Sequence, residues 1–184
     1  MRTVFAIAFL CVVSGCATQL PAPTSTFDNI QQTRASNIAP LSLGAFGAGP
    51  SLPAGREHGL SFRADTLHPP TGGTFSGYLR ETIAAELTAA GKLDPNSQHV
   101  LSGQLTRSEA STFGSQSRGE LGARFQLTNG GTVVFNKEIV VDDTWPSAFM
   151  GATAIPDAEN HYSGLYPKLF AALLADAEFR AAAQ

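Results

Sequence analysis

The segment from 121 to 141 leaves this chain the fewest structural options, because two runs of alternating apolar residues meet there across a turn. Leu121, Ala123, Phe125 and Leu127 alternate with other residues, Asn129-Gly130-Gly131 follows, and Val133, Phe135, Ile139 and Val141 return with the same period. Successive side chains of a strand point to opposite faces, so a period of two makes one face apolar. Runs joined through Asn and Gly predict an antiparallel hairpin, since tight hairpin turns need positive φ. Lys137 falls on the apolar face by parity, which requires an edge strand, a bulge, or a lysine that leads its ammonium out to water. The bulge or edge is preferred.

Elements of both kinds flank this hairpin. His99 to Arg107 reads as a strand, with Leu101, Gly103 and Leu105 on one face and Val100, Ser102, Gln104 and Thr106 on the other. Residues 109–119, rich in Ser, Gly and Thr, read as a polar connection. Thr74 is placed to cap a helix carrying Phe75, Leu79, Ile83 and Leu87 on one stripe; Gly91 is placed to end it, with Leu93 folding back. Arg80, Glu81, Glu86 and Lys92 fall on its other faces and read as solvated charges. Earlier, Leu41, Leu43 and Ala45 within 38–45 suggest a first strand, and Leu60 and Phe62 within 59–63 a second. Residues 47–57 and 68–73, with their Gly and Pro, read as breaks.

The C-terminal part carries a wide apolar stripe, Tyr162, Leu165, Tyr166, Leu169, Phe170, Leu173 and Leu174, with Pro167 inside it. Either the helix starts near Leu165 with proline in its first turn, or it starts near Ala158 and kinks; the longer helix is preferred. Every apolar face is single-sided. The predicted class is therefore α+β: a mostly antiparallel sheet of four to five strands with two helices packed on one face, in the order β-(β)-α-β-β-β-α.

Only two cysteines occur, Cys11 and Cys16. Cys11 lies in ten uninterrupted apolar residues, Val4 to Val13, which follow Arg2 and are too short to span a bilayer at about 20 residues. Val13-Ser14-Gly15-Cys16 ends that run. These four residues resemble the lipobox of bacterial lipoproteins, an aliphatic residue and two small ones before the cysteine that takes the diacylglyceryl group. The resemblance implies cleavage after Gly15, lipidation of Cys16 and membrane attachment. Ala17 is not the aspartate that resembles an inner-membrane retention signal, so the implied destination is the outer membrane, facing the periplasm.

Three segments follow from this reading. Residues 1–15 are a signal peptide, 16–37 a lipidated tether, and 38–184 a single domain of a size that can bury its own core. The tether rests on composition: Pro21, Pro23 and many Ser, Thr, Gln and Asn, with no apolar period. About 20 such residues reach roughly 25 Å on average. A mature chain without free thiols excludes disulfides, thiolate catalysis and Cys-zinc sites together. It must hold by packing.

No motif discloses a reaction. His58, His68, His99 and His161 show neither an i, i+4 pair nor a carboxylate at ligand spacing, so neither a metal nor a cofactor is expected. Asp142-Asp143 lacks the Asp-x-Asp-x-Asp-Gly pattern and reads as a charged strand end. The glycines at 114, 119 and 122 lack the Lys-Ser/Thr of a phosphate loop, and no Gly-x-Ser-x-Gly elbow is present. A net charge of -3 without a basic cluster argues against nucleic acid as a partner.

Residues 142–157 form a long segment without a period that carries Trp145, Phe149, Met150 and Ile155. Trp145, Phe149 and Met150 are the candidate partner contacts: they either cap the open end of the core or meet a partner or lipid. Tyr162 and Tyr166 read as core. In its element order the 38–180 region is loosely similar to YajG-like lipoproteins and to the auxiliary lipoproteins of ABC-type transport systems. That implies a non-enzymatic, lipid-anchored accessory or binding protein of an envelope transport or assembly system, with the membrane and an envelope protein as partners. An envelope hydrolase acting on lipid or glycan, or a structural lipoprotein, are the alternatives.

Overall fold

In the structure, a computed structural model describing residues 17–62, 65–70, 73–113, 115–148 and 150–184, the hairpin forms around Gly130 and Gly131. Their φ values of 57° and 85° are both positive, as a two-residue hairpin turn of this hand requires. In chain order the elements are β1 (Ala17–Gln19), α1 (Phe27–Ala35), β2 (Ser42–Ala48), β3 (Leu60–Phe62), β4 (Asp65–His68), α2 (Phe75–Ala90), β5 (His99–Phe113), β6 (Gln116–Asn129), β7 (Thr132–Pro146), α3 (Gly151–Ala175) and α4 (Ala177–Ala182). The class is α+β. A four-stranded sheet runs β2-β5-β6-β7 and a small three-stranded sheet runs β1-β4-β3. The β5-β6, β6-β7 and β3-β4 pairs are antiparallel, whereas β2-β5 and β1-β4 are parallel.

One face of the large sheet carries the core. Leu101, Leu105, Leu121, Ala123, Phe125 and Leu127 have no solvent exposure, and neither have Phe75, Leu79, Ile83 and Leu87 of α2 or Leu165, Leu169, Phe170 and Leu173 of α3 that cover them. The ends of α2 are those the sequence specifies: Thr74 accepts the Gly77 N–H, and Gly91 closes the helix with φ 72°. Helix α3 takes the longer form, and starts earlier still, with both Pro156 and Pro167 inside it.

At Lys137 the structure combines two of the three options. Strand β7 is an edge, and Lys137, paired with Phe125, stays on the helix-side face. Its Nζ leads out to Asp176 at 2.9 Å and Glu178 at 3.1 Å. A bulge is also present, but nearer the turn: Leu127 pairs with Phe135 and Thr128 with Val133, so Val134 is the extra residue. Val133 is thereby turned outward and is half exposed, while Phe135 stays buried.

Several expectations need correction. The 109–119 connection is not a loop, because β5 and β6 pair in register from Ala110↔Gly119 out to Phe113↔Gln116. The 142–157 segment is likewise mostly regular, divided between the end of β7 and the start of α3. Above all, the described part of the expected tether is folded. Strand β1 pairs with β4 from Ala17 onward, Leu20 is buried, and α1 packs across α2 and α3.

The reason lies in Glu86, which belongs to α2 and has no solvent exposure. Its carboxylate accepts the Thr26 N–H at 3.1 Å on both oxygens, the Thr26 hydroxyl at 3.0 Å and the Asn29 side-chain amide at 2.9 Å. Thr26 is the N-cap of α1, so a buried anion sits where the unpaired N–H groups and positive dipole end of that helix favour one. The Asn29 amide also donates to the Pro167 carbonyl, and Gln32 to the Ala171 carbonyl, which tie α1 to α3. Glu86 is thus a structural anchor and not the solvated charge expected.

Replacing it tests this assignment. Glu86→Ala takes the acceptor from the part-buried Thr26 N–H and hydroxyl and from one hydrogen of the buried Asn29 amide, where a buried donor left unpaired costs about 1–3 kcal/mol, whereas Glu86→Gln keeps one acceptor oxygen and should cost less. Denaturant melts of the two variants are the measurement, and a loss below about 0.5 kcal/mol for Glu86→Ala, the scale of an ordinary surface change, would contradict the clamp.

Candidate functional site

The end of the domain where β7 hands over to α3 gathers most of the residues that stood out in the sequence. Strand β7 brings Asp143 and Trp145 to the helix-side face, opposite Gly119 and Ser117 of β6. Helix α3 brings His161 onto them. The indole of Trp145 and the imidazole of His161 stack with centroids 4.4 Å apart and planes 3° from parallel, and His161 Nδ1 lies 2.7 Å from an Asp143 carboxylate oxygen. Trp145 is 5% exposed and shares a small apolar cluster with Phe62 and Ala158. Of its two readings, the structure gives it the core one.

The other expected contacts divide. Met150, the N-cap of α3, is 65% exposed. Phe149 lies outside the described residues, as do Cys16 and the three residues before it. Ile155 is half-buried and lines a small cleft with Thr18 of β1, Phe62, Asp65, Leu67, Ala158 and Glu159. Asp65 is spent locally, accepting the Thr18 hydroxyl at 2.8 Å and the Thr66 N–H at 2.7 Å.

Electrostatics at this end are mostly inward-looking. Burial pushes the Asp143 carboxyl up, but the His161 hydrogen bond and the charges of His161 and Lys168 outweigh it and hold the group below its ordinary value. Lys168 donates to the Asp142 carbonyl at 2.6 Å. Asp143, Asn160, His161, Gly164, Leu165 and Lys168 border an open groove of about 240 Å³. Nearby, the Tyr162 hydroxyl lies 2.7 Å from Ser108 and 3.1 Å from Tyr166, a fully buried chain. Burial pushes Tyr162 up to about 12 against the effect of those two hydrogen bonds, and pushes Tyr166 well above its ordinary value. These are neutral core hydroxyls.

Chemically, a His–Asp pair acts as a base when it faces a nucleophile. Here Nδ1 is spent on Asp143 and one ring face on Trp145, and the described contacts of His161 brace α3 against β7. The pairing was missed in the sequence because 18 residues separate the partners and only the β7-to-α3 turn brings them together.

The outer face of the large sheet is the second surface. It carries a ladder of charges: Arg107 lies 2.8 Å from Glu120 and 3.6 Å from Glu138, Arg118 lies 3.1 Å from Glu120 and 3.7 Å from Asp142, and Arg124 lies 3.9 Å from Glu138. A shallow groove of about 410 Å³ crosses it along Phe46, Gln104, Arg124, Gln126 and Asn136. Among the described residues no group of His, Cys, Asp and Glu is placed to hold a metal ion, and no helix is long and apolar enough to cross a membrane.

No family model matches the chain, and no curated protein sequence matches it. Solved structures do. A Xanthomonas campestris protein of the DUF330 family superposes with a TM-score of 0.56 at 13% identity, over 87% of this chain and 95% of that one. A chain from Caulobacter crescentus described as a candidate lipoprotein gives 0.45 at 13% identity, over 80% and 91%. A minor lipoprotein from Acinetobacter baumannii gives 0.40 at 13% identity, over 75% and 94%. The Xanthomonas protein shares the fold of this chain, at an identity that speaks to architecture alone.

The Asp143–His161 pair makes stability depend on pH. With the folded-state pKa lowered, its contribution is fully present above the unfolded carboxyl value of about 3.9 and is lost as pH falls through the lowered folded value. Asp143→Asn should therefore be less stable than the parent at pH 7, with the difference narrowing below about pH 4. Denaturant melts at the two pH values measure it, and an equal difference at both would contradict the pairing.

Proposed function

We propose that the chain is an exported lipoprotein, anchored by lipid on Cys16 and destined for the outer membrane with its domain in the periplasm. There it acts as a non-enzymatic accessory or binding module of an envelope transport or assembly system. The observation that carries this reading is the lipobox Val13-Ser14-Gly15-Cys16 at the end of ten apolar residues, followed at once by a folded domain. Acyl chains on Cys16 contribute about 0.8 kcal/mol per buried methylene, and two or more of them exceed what stable membrane residence needs.

Support for a binding role comes from how the polar groups are used. The histidine and carboxylate that meet, His161 and Asp143, brace two elements, and the buried tyrosines bond one another. The exposed turn at Met150, with Phe149 beside it in sequence, is a surface that a membrane or a partner can reach.

Fractionation of cells expressing the full chain is the test. Cys16→Ala should move the protein from the membrane to the soluble exported fraction. Recovery of that variant entirely in membranes would overturn the lipoprotein reading.

A further inference from the structure

The distance between anchor and domain is set by β1. Ala17, the residue after Cys16, is already in register with Thr66, and Thr18 and Leu20 are held to β4 through the Asp65 carboxylate and the His68 carbonyl. One residue spans at most about 3.6 Å, whereas a domain of this size has a radius of gyration of about 15 Å. A lipid on Cys16 therefore leaves the domain no spacer and little freedom to turn.

The surface beside β1 is suited to lipid. Thr18 and Ile155 line the same cleft, and Met150 lies five residues before Ile155, about 7.5 Å along the helix axis. From Thr144 to Pro156 the sequence carries no charged side chain, and Met150 within it is 65% exposed. Of the carboxylates nearest the cleft, Asp65 is buried and hydrogen-bonded, and burial raises the pKa of Glu159 above its ordinary value. Charge resumes at Asp157. The outer sheet face, with its ladder of arginines and carboxylates, is the contrasting surface, and burying it in lipid would strip those ions of water.

We propose that the end of the domain formed by the start of β1 and the turn before α3 rests directly on the lipid bilayer, with Met150 immersed in its interfacial region. The inference rests on lipidation of Cys16. Given that anchor, the acylated end of the chain brings this end of the fold to the membrane, and an exposed methionine on an uncharged turn gains from leaving water.

The test uses the full lipidated protein in vesicles of phosphatidylethanolamine and phosphatidylglycerol. Nitroxide labels are placed at Met150→Cys and, as the comparison, at Val140→Cys on the outer sheet face, six residues or about 20 Å along β7 from Pro146. Collision with oxygen, which concentrates in lipid, is compared with collision with a water-soluble nickel chelate. For Met150→Cys, vesicle binding should lower chelate collisions several-fold and raise oxygen collisions relative to the soluble Cys16→Ala form carrying the same label. For Val140→Cys neither should change. A protein that floats with the vesicles while position 150 stays as accessible to the chelate as in the soluble form overturns this orientation and leaves the lipoprotein reading intact. Shielding of position 150 from both probes would mean protein contact there, and also overturns it. A protein that fails to float removes the lipoprotein reading and this inference with it.

Discussion

The Glu86 carboxylate decides where the first part of the described chain goes. A carboxylate with no solvent exposure is costly unless its lone pairs are filled, and the donors that fill them here come from Thr26 and Asn29, at the N-terminus of α1. Helix α1 in turn is held by what Glu86 and the α3 carbonyls offer, since its buried side chains are the polar Asn29 and Thr33 while Phe27 is exposed. Each side of this contact needs the other. Its result is a third layer, α1 over α2 and α3 over the sheet, with β1 and α1 part of the fold.

The same arrangement surrounds Pro167, the proline in the middle of the C-terminal helix. Pro167 has no N–H to offer the Ser163 carbonyl one turn back, yet Leu165, Tyr166, Leu169 and Phe170 around it are all packed without exposure, and its own carbonyl accepts the Asn29 amide that ties this helix to α1. Tertiary burial outweighs the local penalty. At the other end of α3, His161 stacked on Trp145 and bonded to Asp143 pins the helix to the last strand, so the turn between them is held at both sides while Met150 remains exposed.

What was legible in the sequence was what local physics specifies. Helix α2 could be read end to end because its cap, stripe and left-handed glycine lie within one segment. The β6-β7 hairpin could be read because alternation and turn agree. Where the reading failed, the signal was carried by distant partners. Helix α1 buries polar residues, so it shows no apolar period and looks like a tether. The outer half of the β5-β6 hairpin turns small or polar residues inward, Ser108, Ala110, Ser117 and Gly119. There Ser108 meets Tyr162, and a Cβ on Gly119 would come within 3.0 Å of Leu165. A register shift between Leu105 and Arg107 also breaks the alternation. Of the candidate contacts, Trp145 could not be told from an exposed aromatic without knowing that α3 begins as early as Gly151 and lays Ala158 and His161 over it.

The segment that follows the proposed lipid anchor is an integral part of the fold. Backbone amide hydrogen exchange of the unmodified domain tests it most directly, read at residues 27–35. These amides should be protected together, exchanging orders of magnitude more slowly than an unstructured peptide, because α1 opens only when its contacts with Glu86 and α3 are broken. Exchange at the rate of a free linker, with α2 and α3 still protected, would contradict it.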